Sequence, residues 1–143
     1  MTDKTLIDTN ILVYAYDDSE PGKQNLALSL LDDMATSGKT FISTQILSEF
    51  FVAVTRKIPN PLTLLEAETR INNFCHIWTV LQINEMVVLE AIRGARIHSF
   101  SYWDALVWST ARLNQIGFIL SEDFSHNSYI EGVRFHNPFW EQE

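Results

Sequence analysis

The sequence contains a single cysteine, Cys75, and none of the long apolar runs that cross a membrane. One cysteine excludes an intramolecular disulfide, which fits a reducing compartment, and we interpret Cys75 as a small core residue. The N-terminal stretch MTDKTLIDTN lacks a basic region followed by a long apolar segment, so no secretory signal is expected there. No apolar run approaches the ~20 residues of a bilayer span. We therefore expect a soluble, cytoplasmic protein without a membrane partner.

Basic residues are also scarce, because 10 Lys and Arg stand against 18 Asp and Glu, for a formal net charge of −8. This balance argues against a broad, nonspecific nucleic-acid binder, whose surface is normally basic. It does not exclude an enzyme that gathers carboxylates around bound cations. The glycine-rich nucleotide loops GxxxxGK[ST] and GxGxxG are absent, and the four histidines lack the spacing of a zinc site, so neither chemistry is expected.

Apolar residues are plentiful, at 46% of 143 residues, which is enough for one folded domain over 1–143. Short apolar strands alternate with helical patterns. The predicted strands are 5–7, 40–43, 77–83, 118–120 and, at an edge, 133–135; the predicted helices are 10–16, 19–38, 44–57, one from 63, 84–97 and 101–117. Such alternation predicts an α/β three-layer sandwich, in which helices flank a central, mostly parallel sheet of four to five strands.

Three predicted helix starts carry recognisable capping residues. Ser19 is a candidate N-cap with Pro21 in the first turn, and Gly38 then marks the end of that helix. Thr63 with Glu66 is a candidate capping box. Ser101 stands in the same relation to Asp104.

Four carboxylates fall where a parallel sheet would bring them to one edge. Asp8 follows the first strand directly, within the apolar run LIDTNILVYAYD, and Asp123 follows the fourth strand. Glu49 lies in the helix after the second strand, and Asp104 lies in the first turn of the helix before the fourth. Because sites in such sheets form beyond the carboxyl ends of the strands, these four acids can converge there.

Each acid also has a purely structural interpretation. Asp8 could cap the helix that follows it, and Asp104 could be the reciprocal partner of Ser101 in a capping box. Glu49 could be solvated at the edge of an apolar stripe, and Asp123 could be an ordinary turn residue. Asp104 fits its structural interpretation least, because its helix, SYWDALVWSTARL, is apolar on nearly every face and should be buried.

Convergence of four carboxylates would require compensation of their mutual repulsion. Hard divalent cations such as Mg²⁺ or Mn²⁺ provide it, because they prefer oxygen ligands. A metal held in this way suits phosphodiester hydrolysis, since it lowers the pKa of water, orients the phosphate and stabilises the leaving oxygen.

The sequence resembles a known family, the PIN-domain ribonucleases, and within it the VapC-like toxins of toxin–antitoxin pairs. The resemblance is carried by four stretches, in this order and spacing: LIDTNILVYA, STQILSEFFVAVTRK, FSYWDALVWSTARLNQIGFILSEDFSH and GVRFHNPF. They run from the first strand to the C-terminus, so the resemblance extends over nearly the whole chain. Each stretch alone is only weakly specific for the family. Their order, their spacing and the positions of the acids are together fairly specific.

The resemblance implies roles for individual residues. The family's four acids match Asp8, Glu49, Asp104 and Asp123, which would be both catalytic residues and metal ligands. Asn10 and Ser121 match polar positions that support these acids. Glu122 adjoins Asp123 and either could be the fourth acid, with the motif register favouring Asp123. The resemblance further implies an Mg²⁺- or Mn²⁺-dependent endoribonuclease, a homodimer and an inhibitory antitoxin as partner.

Three further residues are candidate substrate contacts. Trp103 stands beside Asp104, and Arg93 and Arg96 form a small basic group shortly before it, although a core tryptophan and a solvated helix face are the simpler interpretations. Two other functions remain open. One is a non-catalytic, metal-stabilised binding module. The other is a phospho-aspartate phosphatase using Asp8, which Asn10 disfavours because such enzymes usually carry a second Asp at that position.

Overall fold

The computed structural model describes residues 3–140, which form a six-stranded sheet and six helices. The strands are β1 Thr5–Ile7, β2 Thr40–Ser43, β3 Thr79–Leu81, β4 Phe118–Leu120, β5 Tyr129–Ile130 and β6 Val133–His136. The helices are α1 Thr9–Tyr14, α2 Pro21–Met34, α3 Thr44–Arg56, α4 Leu64–Ile77, α5 Glu85–His98 and α6 Tyr102–Leu113. The predicted α/β fold, with its central and mostly parallel sheet, is confirmed.

The sheet has the strand order β3-β2-β1-β4-β6-β5, and every neighbouring pair except β5 with β6 is parallel. From β1 the chain moves outward through β2 to β3 and then returns across the sheet to β4 on the other side of β1. Right-handed crossovers therefore place the helices of the outward path and of the return path on opposite faces. The direction of winding reverses between β1 and β4, which is the point where α/β sheets open a crevice beyond their strand ends.

The central strand β1 explains why the sheet needs cover on both faces. All three of its residues, Thr5–Ile7, are buried. A strand buried on both faces reads as a continuous apolar run instead of an alternating one, as TLI does. The main core contains Leu6 and Ile7 together with side chains from the helices of both faces, such as Phe50 and Trp108.

Helix starts largely follow the sequence. The capping box of Thr63 and Glu66 is present, and Ser101 caps α6 by accepting a hydrogen bond from the Asp104 backbone N–H. The prediction of Ser19 as an N-cap is wrong. Pro21 is the first helical residue, so the cap position falls on residue 20, and the Ser19 hydroxyl instead donates to Asp17.

The predicted edge strand 133–135 is part of β6 but is not at the edge, and the sheet has one strand more than expected. β6 lies between β4 and β5, and the short β5 forms the edge. A two-residue turn joins β5 to β6, with positive φ at both Glu131 (48°) and Gly132 (86°). This is the backbone of a type I′ hairpin turn, whose usual sequences begin with Asn or Asp. Because a glutamate occupies that position, the sequence lacks the usual signature of a hairpin turn.

The prediction that Cys75 is a core residue is also wrong, because its side chain is exposed on α4. The buried face of that helix carries Ala67 and Phe74, two turns apart, and the residue after Phe74 points away from the core. None of the helices in residues 3–140 has the length and apolar character that a membrane span requires.

The α5 and α6 helices pack closely against each other, and Gly94 permits the approach. A Cβ atom at Gly94 would lie 2.6 Å from Cζ3 and 2.8 Å from Cε3 of Trp108. The Trp108 ring is fully buried, and its indole N–H donates to the carbonyl of Ile130 in β5. The ring therefore cannot shift without disturbing the hairpin contact.

Gly94→Ala should destabilise the fold, although alanine favours helix over glycine by about 1 kcal/mol. Overpacking of a filled core costs about 1–3 kcal/mol, and here the neighbouring atoms belong to a ring that is held in place. The measurement is the free energy of unfolding in urea. The same substitution in a Trp108→Phe background is the matched control, where the penalty should largely disappear. A Gly94→Ala protein that is more stable than the parent would show that the contact is not restrictive.

Candidate functional site

Asp8 lies at the carboxyl end of β1 and is the N-cap of α1. Its side chain is only 3% exposed. One carboxylate oxygen, Oδ1, accepts from the backbone N–H of Thr9 at 2.8 Å, and Oδ2 accepts from the Ser121 hydroxyl at 2.6 Å. Burial nevertheless raises the pKa of Asp8 to about 7, against the lowering effect of these hydrogen bonds, and the charges of Asp123 and Glu49 raise it further.

Ser121, directly after β4, joins the polar residues of this strand end. It is completely buried, and its hydroxyl donates to Asp8 while accepting from the Asn10 amide at 3.3 Å and from the backbone N–H of Asp123 at 3.0 Å. One donated and two accepted bonds satisfy a hydroxyl completely. Asn10 accepts, through its amide oxygen, from the backbone N–H of Glu122 at 3.2 Å. The loop after β4 is thereby fixed against the start of α1.

Glu49 lies in the second turn of α3 and is half-buried. The Thr9 hydroxyl donates to its Oε1 at 2.8 Å, and the Gln45 amide lies 3.4 Å from its Oε2. Gln45 precedes Glu49 by four residues, so both side chains lie on one face of the helix. The same Gln45 amide donates to the backbone carbonyl of Trp103 at 3.1 Å, which connects α3 to the start of α6.

Asp104 is half-buried in the first turn of α6. Burial raises the pKa of its carboxyl group, the Ser101 hydrogen bond lowers it, and the charges of Asp123 and Glu49 raise it. The residues after it, Ala105–Ala111, are all buried, as the apolar character of this helix predicts. Trp103, in contrast, is 62% exposed.

The two adjacent acids of the loop after β4 face different surroundings. Asp123 is exposed and lines a cavity, whereas Glu122 accepts from the Tyr14 hydroxyl at 2.6 Å and forms an ion pair with Lys23. The fourth carboxylate of the cluster is therefore Asp123 in this arrangement. We call Asp8, Glu49, Asp104 and Asp123 the acidic cluster.

The cavity beside the acidic cluster has a volume of about 760 Å³ and is open to solvent. Its acidic end contains Glu49 and Asp123, and Trp103 forms part of its wall. Its remaining surface is largely apolar, with contributions from Val13, Tyr14, Val52, Ala53 and Ile58. Among the described residues that line it, Lys57 alone is basic, and it lies eight residues beyond Glu49, or ~12 Å along the axis of α3.

The acidic cluster is coupled electrostatically. Asp123 and Glu49 each raise the pKa of both Asp8 and Asp104, which places these carboxylates within range of one another. Within residues 3–140, however, no three carboxylate, imidazole or thiol side chains are arranged closely enough to hold a metal ion. The structure thus brings the four acids to one sheet edge without drawing them into a coordination sphere.

The two arginines predicted as possible substrate contacts are not brought to this cavity. Arg93 makes 2.8 Å ion pairs with Glu90 and with Glu131 of the β5–β6 turn, and its guanidinium lies over the Trp108 ring. Hydrogen bonds from Arg93 and then His98 hold the pKa of Glu131 down at about 2. Arg96 is exposed in the last turn of α5 and does not line the cavity.

Sequence inspection gave no role to four residues that contact carboxylates of this region, two at Glu49 and two at the adjacent loop acid Glu122. Thr9 and Gln45 contact Glu49, and Tyr14 and Lys23 contact Glu122. Local signals exist for the first two, since Thr9 follows Asp8 directly and Gln45 lies one helical turn before Glu49. Lys23 is separated from Glu122 by 99 residues, so its contact has no local signal.

The sequence model of the PIN domain family matches residues 5–129. The matched region contains three of the four stretches on which the resemblance rests, together with all four acids of the cluster, whereas GVRFHNPF lies beyond it. A search among curated proteins finds no match to this chain.

Several solved structures share the fold. One is VapC20 of Mycobacterium tuberculosis, described as a sarcin-ricin loop cleaving toxin, with 17% identity and a TM-score of 0.66 over 91% of this chain and 98% of that chain. Another is a toxin–antitoxin complex from Klebsiella pneumoniae, with 18% identity and a TM-score of 0.66 over 94% and 97%. A third is DNA-bound VapBC from Salmonella typhimurium, with 14% identity and a TM-score of 0.67 over 94% and 98%.

At these identities the structural likeness establishes the fold, and the family match extends over most of the chain. The chain belongs to the PIN-domain family and has the fold of the VapC toxins.

Proposed function

We propose that this protein is a divalent-metal-dependent endoribonuclease and the toxin of a type II toxin–antitoxin pair. The acidic cluster is the observation that supports this proposal most. Its four carboxylates come from four separate segments and lie where the winding of the sheet reverses, beside an open cavity. Family membership and the fold supply the reaction class, and the described activity of VapC20 supports the assignment to RNA cleavage.

The chemistry of the donor set fits Mg²⁺ or Mn²⁺, although within residues 3–140 no three of these side chains lie close enough to form a coordination sphere. All four side chains offer carboxylate oxygens, the ligands that hard divalent cations prefer. Among the described residues that line the cavity, Lys57 alone is basic, and it stands about two helical turns from Glu49, so the wall brings no positive charge beside the cluster. Asp8, Glu49, Asp104 and Asp123 would hold the cation, which when bound lowers the pKa of water and stabilises charge on the phosphate oxygens.

The remaining residues of the site hold these carboxylates in position. Ser121 and the Thr9 backbone fix both oxygens of Asp8 while leaving lone pairs on each. The Thr9 hydroxyl orients Glu49, and Gln45 links Glu49 to the start of α6, where Asp104 lies. Asn10 and Ser121 fix the loop that carries Asp123. Such hydrogen bonds orient metal ligands and raise their basicity.

The cavity wall suits an unpaired nucleotide better than a folded duplex. Trp103 is exposed at the mouth, next to Asp104, where a nucleobase could stack on its ring. Stacking on an aromatic side chain is the usual way in which proteins hold a splayed-out base. The RNA substrate would therefore be cut in a single-stranded or loop region.

The proposed partners are an antitoxin and a second copy of this chain. The Klebsiella pneumoniae complex contains a toxin and an antitoxin, and the Salmonella typhimurium structure is a VapBC assembly on DNA. A net charge of −8 suits a basic inhibitor segment directed at the acidic cluster. The homodimer follows from the family resemblance.

Removal of divalent metal should abolish cleavage. Purified protein is expected to cut single-stranded RNA in the presence of Mg²⁺ or Mn²⁺ and to stop when EDTA is added, because without a cation nothing compensates charge on the phosphate. Gel analysis of a labelled RNA measures this. Undiminished cleavage after thorough chelation, with activity that copurifies with the folded protein, would contradict the metal requirement.

Without metal, the stability of the fold should decrease between about pH 4 and pH 7 because of Asp8. Its folded-state pKa of about 7 exceeds the ordinary value of 3.8, so the folded protein retains a proton that the unfolded chain releases. The stabilisation is complete below pH 3.8 and is lost as the pH rises through 7, by about 2–4 kcal/mol.

Asp8→Asn cannot ionise and should lose much less stability between pH 5 and pH 8 in EDTA. The measurement is urea unfolding at several pH values, and the decisive quantity is the change with pH in each protein. Asp33→Asn, at an exposed position of α2, is the control and should follow the parent. Parallel pH curves for the parent and Asp8→Asn would contradict the elevated pKa.

Asp8→Asn should harm cleavage more than Glu49→Gln. Asp8 is fixed by two hydrogen bonds and buried, so loss of its charge removes a rigid ligand, at a cost on the order of several kcal/mol in transition-state stabilisation. Glu49→Gln can still accept from the Thr9 hydroxyl through its amide oxygen. Cleavage rates over a Mn²⁺ titration compare the two variants. Full recovery of Asp8→Asn at high Mn²⁺, with Glu49→Gln inactive, would reverse the assignment.

A further inference from the structure

The loop after β4 presents two consecutive carboxylates, but only one of them lines the cavity. Asp123 does so, whereas the Glu122 side chain is only 19% exposed and faces α1 and α2. The backbone of Glu122 nevertheless belongs to the site, because its N–H donates to Asn10, which itself lines the cavity. A glutamate side chain has several rotatable bonds, so its direction here is set by its contacts and not by its backbone position alone.

Tyr14 and Lys23 hold the Glu122 side chain away from the acidic cluster. The Tyr14 hydroxyl donates to its Oε1 at 2.6 Å, and the Lys23 ammonium pairs with its Oε2. Lys23 also lies 3.3 Å from the Tyr14 hydroxyl, 4.9 Å from the centre of the Tyr14 ring and 5.6 Å from that of Phe139. We call Tyr14, Lys23 and Glu122 the carboxylate clamp.

The clamp is more than an incidental surface pair. The side chains of Lys23 and Glu122 are only 23% and 19% exposed, so their attraction is screened less by solvent than that of an exposed ion pair. The Tyr14 ring packs edge-on against the buried Phe139 ring at 5.1 Å, which fixes the hydroxyl that contacts Glu122. The clamp therefore has a rigid base on α1 and a cation supplied by α2.

We propose that Lys23 and Tyr14 are positioning residues that withhold the Glu122 carboxylate from divalent cations, so that Asp123 alone serves the site from this loop. This inference rests on the proposed function. A released Glu122 would place one more carboxylate beside Asp123 and would bind cations in a geometry that does not serve cleavage. The Lys23 ammonium takes the place that a divalent cation would otherwise have on the Glu122 carboxylate.

The distinguishing consequence is that metal affinity and activity change in opposite directions. Lys23→Met should bind Mn²⁺ severalfold more tightly, because a carboxylate has been released, and should cleave RNA about tenfold more slowly at saturating Mn²⁺, because ligand geometry governs metal-assisted hydrolysis. Loss of a merely structural ion pair would weaken binding and activity together. Isothermal titration with Mn²⁺ alone measures the first quantity, and initial cleavage rates measure the second.

Two further variants separate charge release from structural damage. Lys23→Met with Glu122→Gln should return both Mn²⁺ affinity and cleavage rate toward the parent values, because no free carboxylate remains. Lys4→Met removes one positive charge at the opposite, amino-terminal end of β1 and should change neither quantity. If Lys23→Met does not fold, Tyr14→Phe keeps the ring and removes only the hydroxyl contact, and it should give smaller changes of the same sign.

The possible outcomes can be told apart. Mn²⁺ binding by Lys23→Met that equals or falls below that of the parent overturns the clamp, and so does tighter binding that persists after Glu122→Gln. In both of these cases the parent still binds Mn²⁺ and cleaves RNA, so the proposed function stands. A parent that neither binds Mn²⁺ nor cleaves RNA overturns the proposed function and the clamp with it.

Discussion

The structure of the site depends on one costly feature, the carboxylate of Asp8 at the end of a completely buried strand. A charge in that position is unfavourable unless donors or a cation surround it. The fold supplies two donors, the Thr9 backbone and the Ser121 hydroxyl, and they reduce but do not remove the cost, since the pKa of Asp8 remains near 7. The elements around β1 are arranged to satisfy this one side chain, because α1 begins on it and the loop after β4 closes over it.

The acidic residues near Asp8 also explain why one part of the cavity is acidic and the rest is largely apolar. Glu49 and Asp123 line one part of the cavity and apolar side chains line most of the rest, with Asp17 and Lys57 also on the wall. A bare phosphate would be repelled by such an acidic end, so the site favours ligands that arrive with a cation or carry one. The apolar wall then provides affinity without charge, through a base or through the apolar side chains of a bound peptide. Under the proposed function, inhibitor and substrate would compete for the same two features.

Much of this arrangement is visible in the sequence, because it is encoded locally. The apolar run TLI, the capping box of Thr63 and Glu66, and acids placed directly after strands each report on neighbours a few residues away. The errors come from contacts that are not local. Helix α2 begins at Pro21, so Ser19 is not its N-cap. The positive φ of Glu131 is stabilised by ion pairs from α5 and α6, so the hairpin and the true edge of the sheet could not be predicted.

For the candidate site too, the sequence predicts local features but not contacts between distant residues. The four acids could be named from their strand and helix positions, but the directions of their side chains could not. Glu122 and Asp123 are neighbours with the same charge, and the contacts that distinguish them come from Tyr14 and Lys23, which are both distant in sequence. Arg93 suggested a phosphate contact because it precedes Asp104, yet the fold pairs it with Glu90 and Glu131 on another part of the surface.

The two outer strands of the sheet have a consequence for the behaviour of the protein at high concentration. β3 has three residues and β5 has two, and β5 ends in a tight turn at Glu131 and Gly132. Unpaired backbone at a sheet edge is a template for strand addition, and short edges offer few hydrogen bonds to an incoming chain. Such short edges offer little template for the growth of intermolecular β-structure, in a sheet whose central strand β1 is completely buried.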